Sequence, residues 1–305
     1  MRGQPVRVAA IDCGTNTIKL LVLDEDGADL EREMRIVRLG QDVDRTGRLA
    51  EEALERTFAA VEEYADLVAR HGVDRVRFCA TSATRDAANA ADFAAGVRAR
   101  LGVAPEVVSG DEEAALAWAG AKRGLPGLAG PVVVLDIGGG STELVLGSGP
   151  TPDAAHSMDI GSVRMTERHL RSDPPTAPEV AACVADVDAA LDTCPVDPGA
   201  AVTMVGVAGT VTTLAAGVMG LTSYDRSATH GARLPVAQVH ALCDRLVGST
   251  AAERAEMAWL HPGRADVIAA GALVLSRVLA RSRVTELVVS EADILDGIAW
   301  SLLEG

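Results

Sequence analysis

Leu135-Asp136-Ile137-Gly138-Gly139-Gly140-Ser141-Thr142-Glu143-Leu144 decides how this chain is read, because it repeats the plan of an earlier stretch, Ile11-Asp12-Cys13-Gly14-Thr15-Asn16-Thr17-Ile18-Lys19-Leu20. Each stretch follows an apolar β-rich run, opens on Asp, passes through Gly and hydroxyl residues and re-enters an apolar run. Glycine lets backbone N–H groups turn into such a loop, and Ser, Thr and Asn add short donors, so Gly14–Thr17 and Gly138–Ser141 can grip phosphate oxygens. Asp12 and Asp136, each at a strand end, can hold a hard cation directly or through water. One loop of this kind is a weak signal. Two, at similar places in successive segments, indicate a duplicated fold closing on a phosphorylated ligand.

Working outward, Val6–Cys13, Thr17–Asp24 and Asp29–Leu39 read as strands, with Asp26-Gly27 as the turn. Leu54, Phe58, Val61, Ala65 and Val68 recur at helical spacing and predict a helix over 50–70 that stops at Gly72. Strand Val73–Thr81, helix 87–101, strand Ala104–Val108 and a helix over Asp111–Arg123 complete the first half. Leu125–Pro131 has the composition of a linker. The pattern then restarts with strands at Val132–Asp136, Thr142–Gly147 and Ala154–Ile160, and helices near 162–171 and 178–192. Strand Ala201–Val207, helix Thr210–Val218, further helix from Val236, strand Val284–Ser290 and helix Asp293–Leu303 follow. The expectation is an α/β protein of two repeated domains, 1–127 and 128–305.

Composition narrows the function. The 305 residues suffice for two cores, and 48% hydrophobic with 23% charged residues is the balance of a globular chain. A net charge of −15 argues against nucleic acid as a partner. The same charge sits awkwardly with a polyanionic ligand, but charges beyond a Debye length of about 8 Å are largely screened, so local loops outweigh the global excess. No apolar stretch reaches the roughly 20 residues of a membrane-spanning helix, and no cleavable leader is evident, so no membrane association is expected and the cytoplasm is the expected setting. Five scattered cysteines without a CxxC are expected as reduced thiols. The basic residues are 26 Arg and 2 Lys, a bias that fits phosphate binding but is equally a habit of an alanine-rich composition.

Other stretches carry chemistry less specifically. Ser109 with Glu112 has the spacing of a capping box, which leaves Glu113 unexplained. Glu113 could take a proton from an attacking water, or merely complement the helix dipole. Ala80–Arg85 places three hydroxyls and Arg85 where a strand yields to a helix, suited to phosphate or to a simple cap. Gly206–Thr213 is a strand–Gly–helix junction whose Gly209 and Thr210 can face an anion, or can serve close packing. Arg264, in a stretch expected to open a helix, can reach an anion or pair on the surface. Without zinc spacing, a P-loop or a GxGxxG motif, the metal site these residues allow is a carboxylate and water site for Mg²⁺.

Together these stretches resemble the exopolyphosphatase / guanosine pentaphosphate phosphohydrolase family, within the wider actin–sugar kinase–Hsp70 (ASKHA) fold. The matching residues are Asp12–Thr17, Arg38-Leu39-Gly40, Ala80–Arg85, Ser109–Ala114, Asp136–Leu144, Gly206–Thr213, His230-Gly231, Arg264-Ala265-Asp266 and Ser290–Gly297. They run in order through essentially the whole chain. The resemblance implies two ribonuclease-H-like, actin-like domains with an interdomain active-site cleft. It places Glu113 at the catalytic position, Asp136 and Glu143 near the metal and Gly138–Ser141 at the phosphate. The first loop reads Gly-Thr-Asn-Thr where many members have Gly-Ser-Asn-Ser, which keeps every hydroxyl. The expected activity is Mg²⁺-dependent release of terminal phosphate from inorganic polyphosphate. Hydrolysis of pppGpp and an actin-like nucleotide-binding regulatory module are the alternatives, and a sugar kinase fits less well. A homodimer is expected, as is a preference for short chains, because longer members continue into an HD-like helical domain.

Overall fold

A computed structural model describes residues 6–304; the outermost residues of the two expected domains, 1–5 and Gly305, lie outside it. The first half runs β1 (Val8–Cys13), β2 (Thr17–Leu23), β3 (Asp29–Ile36), α1 (Val43–Thr46) and α2 (Glu51–Arg70). It continues through β4 (Arg75–Ala80), α3 (Ser82–Arg85), α4 (Ala90–Leu101), β5 (Glu106–Val107) and α5 (Gly110–Gly124). The second half opens with β6 (Val132–Ile137), β7 (Thr142–Gly147), β8 (Ala154–Met158), α6 (Ser162–His169) and α7 (Ala177–Thr193). Then come β9 (Thr203–Val207), α8 (Ala208–Val218), α9 (Arg226–Thr229), β10 (Arg233–Pro235) and α10 (Val236–Val247). The chain finishes with α11 (Ala251–Ala255), α12 (Ile268–Ala280), β11 (Glu286–Val289) and α13 (Ile294–Glu304).

The duplication is visible in the sheets. Five strands order as β3-β2-β1-β4-β5, and six as β8-β7-β6-β9-β11-β10. In both, an antiparallel hairpin is joined to strands running parallel with its first member, β1 beside β4 and β6 beside β9. β1 and β6 are buried along their whole length, as strands covered on both faces must be. They end in Asp12-Cys13 and Asp136-Ile137, at the carboxyl ends where open α/β sheets receive ligands.

The layers cross between halves. Ala114, Trp118 and Ala121 of α5 pack on Val132, Val134, Val205 and Val207 of the second sheet. Ile294, Leu295, Ile298 and Ala299 of α13 pack on Val8, Ala10, Leu21 and Cys79 of the first. At roughly 1.5–3 kcal/mol per buried large aliphatic side chain, these exchanged contacts bind each helix to the opposite sheet. They also bring both helix amino termini, with Glu113 and Asp293, to the cleft.

Several elements depart from the expected ones. β3 stops at Ile36 because the N–H groups of Val37 and Arg38 both turn to the Asn16 carbonyl at 3.0 Å, with Arg38 at φ +52°. β5 keeps only two residues, with Val108 N–H donating to the Ala80 carbonyl. The stretch from Val236 divides into α10, α11 and α12. The stretch expected to open a helix with Arg264 is a 3₁₀ turn, Pro262–Arg264, and α12 begins only at Ile268. Short β10, an edge strand pairing antiparallel with β11, carries Pro235 and was not legible as a strand.

Candidate active site

The two loops share one hydrogen-bond plan. Gly14 N–H donates to the Thr17 carbonyl at 2.9 Å, and Gly138 N–H to the Ser141 carbonyl at 3.0 Å. In the second loop the carbonyls of Gly138 and Gly139 accept from the N–H groups of Ser162 (2.9 Å) and Val163 (2.8 Å), the first residues of α6. A trans peptide points its C=O and N–H in opposite directions, so the N–H groups of Gly139 and Gly140 turn away from α6. The first loop does the same, its Thr15 and Asn16 carbonyls being taken by Gly40, Val37 and Arg38.

Both loops face one cavity of about 60 Å³ between the halves. Asp12, Gly14, Thr15, Asn16 and Thr17 line it from the first half, Asp136, Gly138, Gly139, Gly140 and Ser141 from the second. Gly209 and Thr210, at the start of α8, complete the far wall, and Glu113 enters from α5. Of the expected site residues, Arg85 and Glu143 stand off the wall. Arg85 Nη1 donates instead to Glu113 Oε2 at 2.7 Å and to the Val108 carbonyl at 3.0 Å. Glu143 lies on β7 opposite Asp136, 1% exposed, and accepts from Ser157 Oγ at 2.7 Å. It is one layer behind the wall.

Burial governs the acids. Desolvation raises the Glu113 pKa to about 7, against the opposing pull of Arg85 and with a further push from Asp12. Asp136 is raised well above the usual carboxylate range by burial, then by Asp293, while Lys19 pulls it down. Glu143 is raised by burial and by the charges of Glu113 and Asp136, and Asp12 by burial against the pull of Lys19. At Asp293 burial also raises the pKa, but Lys19 and Arg32 outweigh it and hold the group low.

Lys19 and Asp293 were not singled out from the sequence. Lys19 Nζ sits 3.4 Å from Asp12 and 2.7 Å from Asp293. A signal for Lys19 existed: it pairs with Asp12 across the first hairpin as Glu143 pairs with Asp136 across the second. Thr81, Ser82 and Arg264 also line the cavity. The Arg264 guanidinium lies over Gly209 so closely that a Cβ there would meet Nη1 at 2.2 Å, and it forms no ion pair among the described residues. Beyond it opens a second cavity of about 260 Å³ carrying Arg32, Arg226, Tyr224 and Trp259.

Glu112 takes half of its expected cap. Ser109 Oγ accepts from Glu112 N–H at 3.2 Å, but the Glu112 carboxylate pairs with Arg77 at 2.7 Å, a stronger donor than the Ser109 backbone.

Among the described residues no three His, Cys, Asp or Glu side chains converge on one metal position. Mg²⁺ asks for less, since it keeps several waters and binds through one or two carboxylates plus substrate phosphates. Asp12 and Asp136 on the cavity wall suit that role. The side-chain carbonyl oxygen of Asn16, buried without a hydrogen-bond partner, would accept from a metal-bound water.

Fold and cleft define an actin-like two-domain protein with paired glycine- and hydroxyl-bearing loops and a buried carboxylate between them. The chain belongs to the Ppx/GppA phosphatase family, whose model matches residues 22–304. It is 49% identical to Exopolyphosphatase 2 of Mycobacterium tuberculosis, covering 97% of this chain and 98% of that protein. Among solved structures, an exopolyphosphatase-like protein superposes with a TM-score of 0.95 at 46% identity, covering 98% of this chain and 99% of that one. The Aquifex aeolicus family member superposes with a TM-score of 0.82 at 33% identity, covering 98% of each chain. No described helix is long and apolar enough to cross a membrane.

Proposed function

We propose that this chain is an exopolyphosphatase, releasing orthophosphate from the end of inorganic polyphosphate with Mg²⁺ as cofactor. The observation that carries the reading is Glu113: a carboxylate 8% exposed, with a pKa near 7, in a cavity whose other walls are two loops of backbone N–H donors. The activity named for the relatives supports it. The terminal phosphoryl group sits between Gly14–Thr17 and Gly138–Ser141, and Glu113, fixed by Arg85, takes the proton of the attacking water. Mg²⁺, held by Asp12 and Asp136 through oxygen ligands or waters, would neutralise charge on the phosphates. Lys19 and Arg264 supply fixed positive charge where negative charge accumulates, the arrangement on which phosphoryl transfer depends. The setting we propose is the cytoplasm, where five free thiols suit a reducing compartment, and a homodimer is part of the same proposal.

A second reading, hydrolysis of pppGpp, is favoured by the Trp259 and Tyr224 rings in the cavity beyond Arg264, surfaces on which a base can stack. Initial rates of phosphate release on short polyphosphate, long polyphosphate, pppGpp and ATP separate the readings. The proposal expects polyphosphate to lead; pppGpp leading would make the second reading the right one. Tight retention of ATP without turnover on any substrate would instead indicate an actin-like binding module.

Chain length is the next prediction. Beyond Arg264 the cleft offers a bounded cavity of about 260 Å³, in which Arg32 is already paired with Asp296. Distal phosphates add affinity by counterion release only where basic groups line their track. Hence kcat/KM on a polyphosphate ladder should plateau at short lengths, and a value that keeps rising would reveal a longer track.

The pH profile follows from Glu113. A general base works deprotonated, so turnover should rise with pH through about 7 and fall toward tenfold per unit below it. A flat rate between pH 5 and 8 would assign the base elsewhere.

A further inference from the structure

Arg164, on α6 in the second half, lies under the phosphate loop and was not marked by the sequence. It is 9% exposed. Its Nε donates to the Gly140 carbonyl at 2.7 Å, its Nη1 to Asp44 Oδ1 at 2.6 Å, and its Nη2 to Asp86. The first contact is to the loop of its own half. The other two reach across the cleft, to α1 and to the residue that follows α3.

We propose that Arg164 is a positioning residue: it couples closure of the first half to the geometry of the Gly138–Ser141 loop. The inference rests on the exopolyphosphatase reading for its catalytic consequence, though not for its structural one.

Peptide geometry makes the coupling specific. Ser162 and Val163 fix the carbonyls of Gly138 and Gly139 through backbone N–H groups, within the second half alone. The Gly140 carbonyl is fixed by the Arg164 side chain, and that bond turns the next N–H, of Ser141, away from α6. The three N–H groups of Gly139, Gly140 and Ser141 have no acceptor in the loop's hydrogen-bond pattern among the described residues. One of these three donors thus depends on where the guanidinium is held. A guanidinium is a rigid planar fork, so placing Nη1 and Nη2 places Nε. Asp44 and Asp86, both on the first half, hold the fork at hydrogen-bond distance, while exposed Asp159 of the second half lies farther off, 3.8 Å from Nη2. The fit is tight: a Cβ on Gly140 would meet Ser82 Oγ at 2.2 Å and Thr15 Oγ1 at 2.5 Å, so the loop rests directly on the first half.

α3 joins this device to the base. Ser82 starts α3 and contacts Thr15 Oγ1 at 2.9 Å, Arg85 ends it and holds Glu113, and Asp86 follows and holds Arg164. A single short turn therefore sets both the water-activating carboxylate and the third loop donor. Arg168, one turn along α6, also pairs with Asp44 but makes no loop contact, and its other partner is Asp186. It is the internal control.

The test uses the whole chain and two readouts. Calorimetric titration with orthophosphate measures loop geometry without turnover. The expected result is a tenfold or larger loss of orthophosphate affinity in R164Q, partial recovery in R164K, and a change within twofold in R168Q. In a cycle with D44N/D86N, R164Q should cost little further affinity, because the fork then keeps only the exposed Asp159, 3.8 Å from Nη2. On short polyphosphate, kcat of R164Q should fall more than KM rises. Wild-type orthophosphate affinity in folded R164Q, or fully additive losses in the cycle, would overturn the proposal. Should R164Q fail to fold, D86N alone, whose side chain is 35% exposed, carries the same orthophosphate readout. A wild-type chain that binds orthophosphate but releases none from polyphosphate would refute the functional reading while leaving the cycle interpretable.

Discussion

Glu113→Gln lowers polyphosphate turnover by roughly 10²–10⁴-fold with KM largely kept, since a general base contributes in the transition state and little to ground-state binding. Gln preserves the shape of the side chain and can still accept from Arg85 through its amide oxygen, so the site remains assembled. Glu112→Gln is the matched control. Its carboxylate side chain is 45% exposed and pairs with Arg77 away from the cavity, so its loss costs at most about 1 kcal/mol of stability and leaves turnover in place. Steady-state kinetics of the two variants decide the matter: equal losses would show that the division of roles between adjacent glutamates is mistaken.

Asp136→Asn is expected to lose turnover and Mg²⁺ response together. A hard cation prefers an anionic oxygen or an anionic partner for its waters, and outer partners alone are worth roughly 10–100-fold in metal affinity. Stability moves the opposite way. The folded pKa of Asp136 lies above its unfolded value of about 4, so the folded state holds this proton more tightly. Wild-type stability is therefore lost as pH rises from about 4 toward the folded pKa, and the Asn variant escapes that loss. Without Mg²⁺ the variant should melt above wild type at pH 7 to 8, and the gap should close near pH 4. Superimposed Mg²⁺ titrations would remove Asp136 from the metal site, and a variant that melts lower at neutral pH would contradict the raised pKa of its buried carboxyl.

What the sequence disclosed was local chemistry. Gly14–Thr17 and Gly138–Ser141 could be read because the same glycine, hydroxyl and aspartate pattern recurs at two strand ends, and that repetition anticipated two matching sheets. Arg85 was placed near phosphate by its turn, yet its partner is Glu113 on a helix that folds back 28 residues later. Lys19 and Asp293 are 274 residues apart and meet only because α13 returns to cover the first sheet. Nothing local marks such a pair. Arg164 was hidden for the same reason: its three partners come from three elements, and a lone arginine on a short helix carries no spacing signal. Strand ends were lost where the backbone left its ladder for a contact with another loop, as Arg38 does toward Asn16.

Rapid-quench single turnover, with enzyme in excess over a short polyphosphate labelled at its terminal phosphate, tests the central claim most directly. If Glu113 activates water for attack on the terminal phosphorus, labelled orthophosphate is the first product and the remaining chain is shorter by one. No label then appears on protein at any time, and the rate constant rises with pH through about 7. Label trapped covalently on the protein, or a first product longer than orthophosphate, would contradict the account.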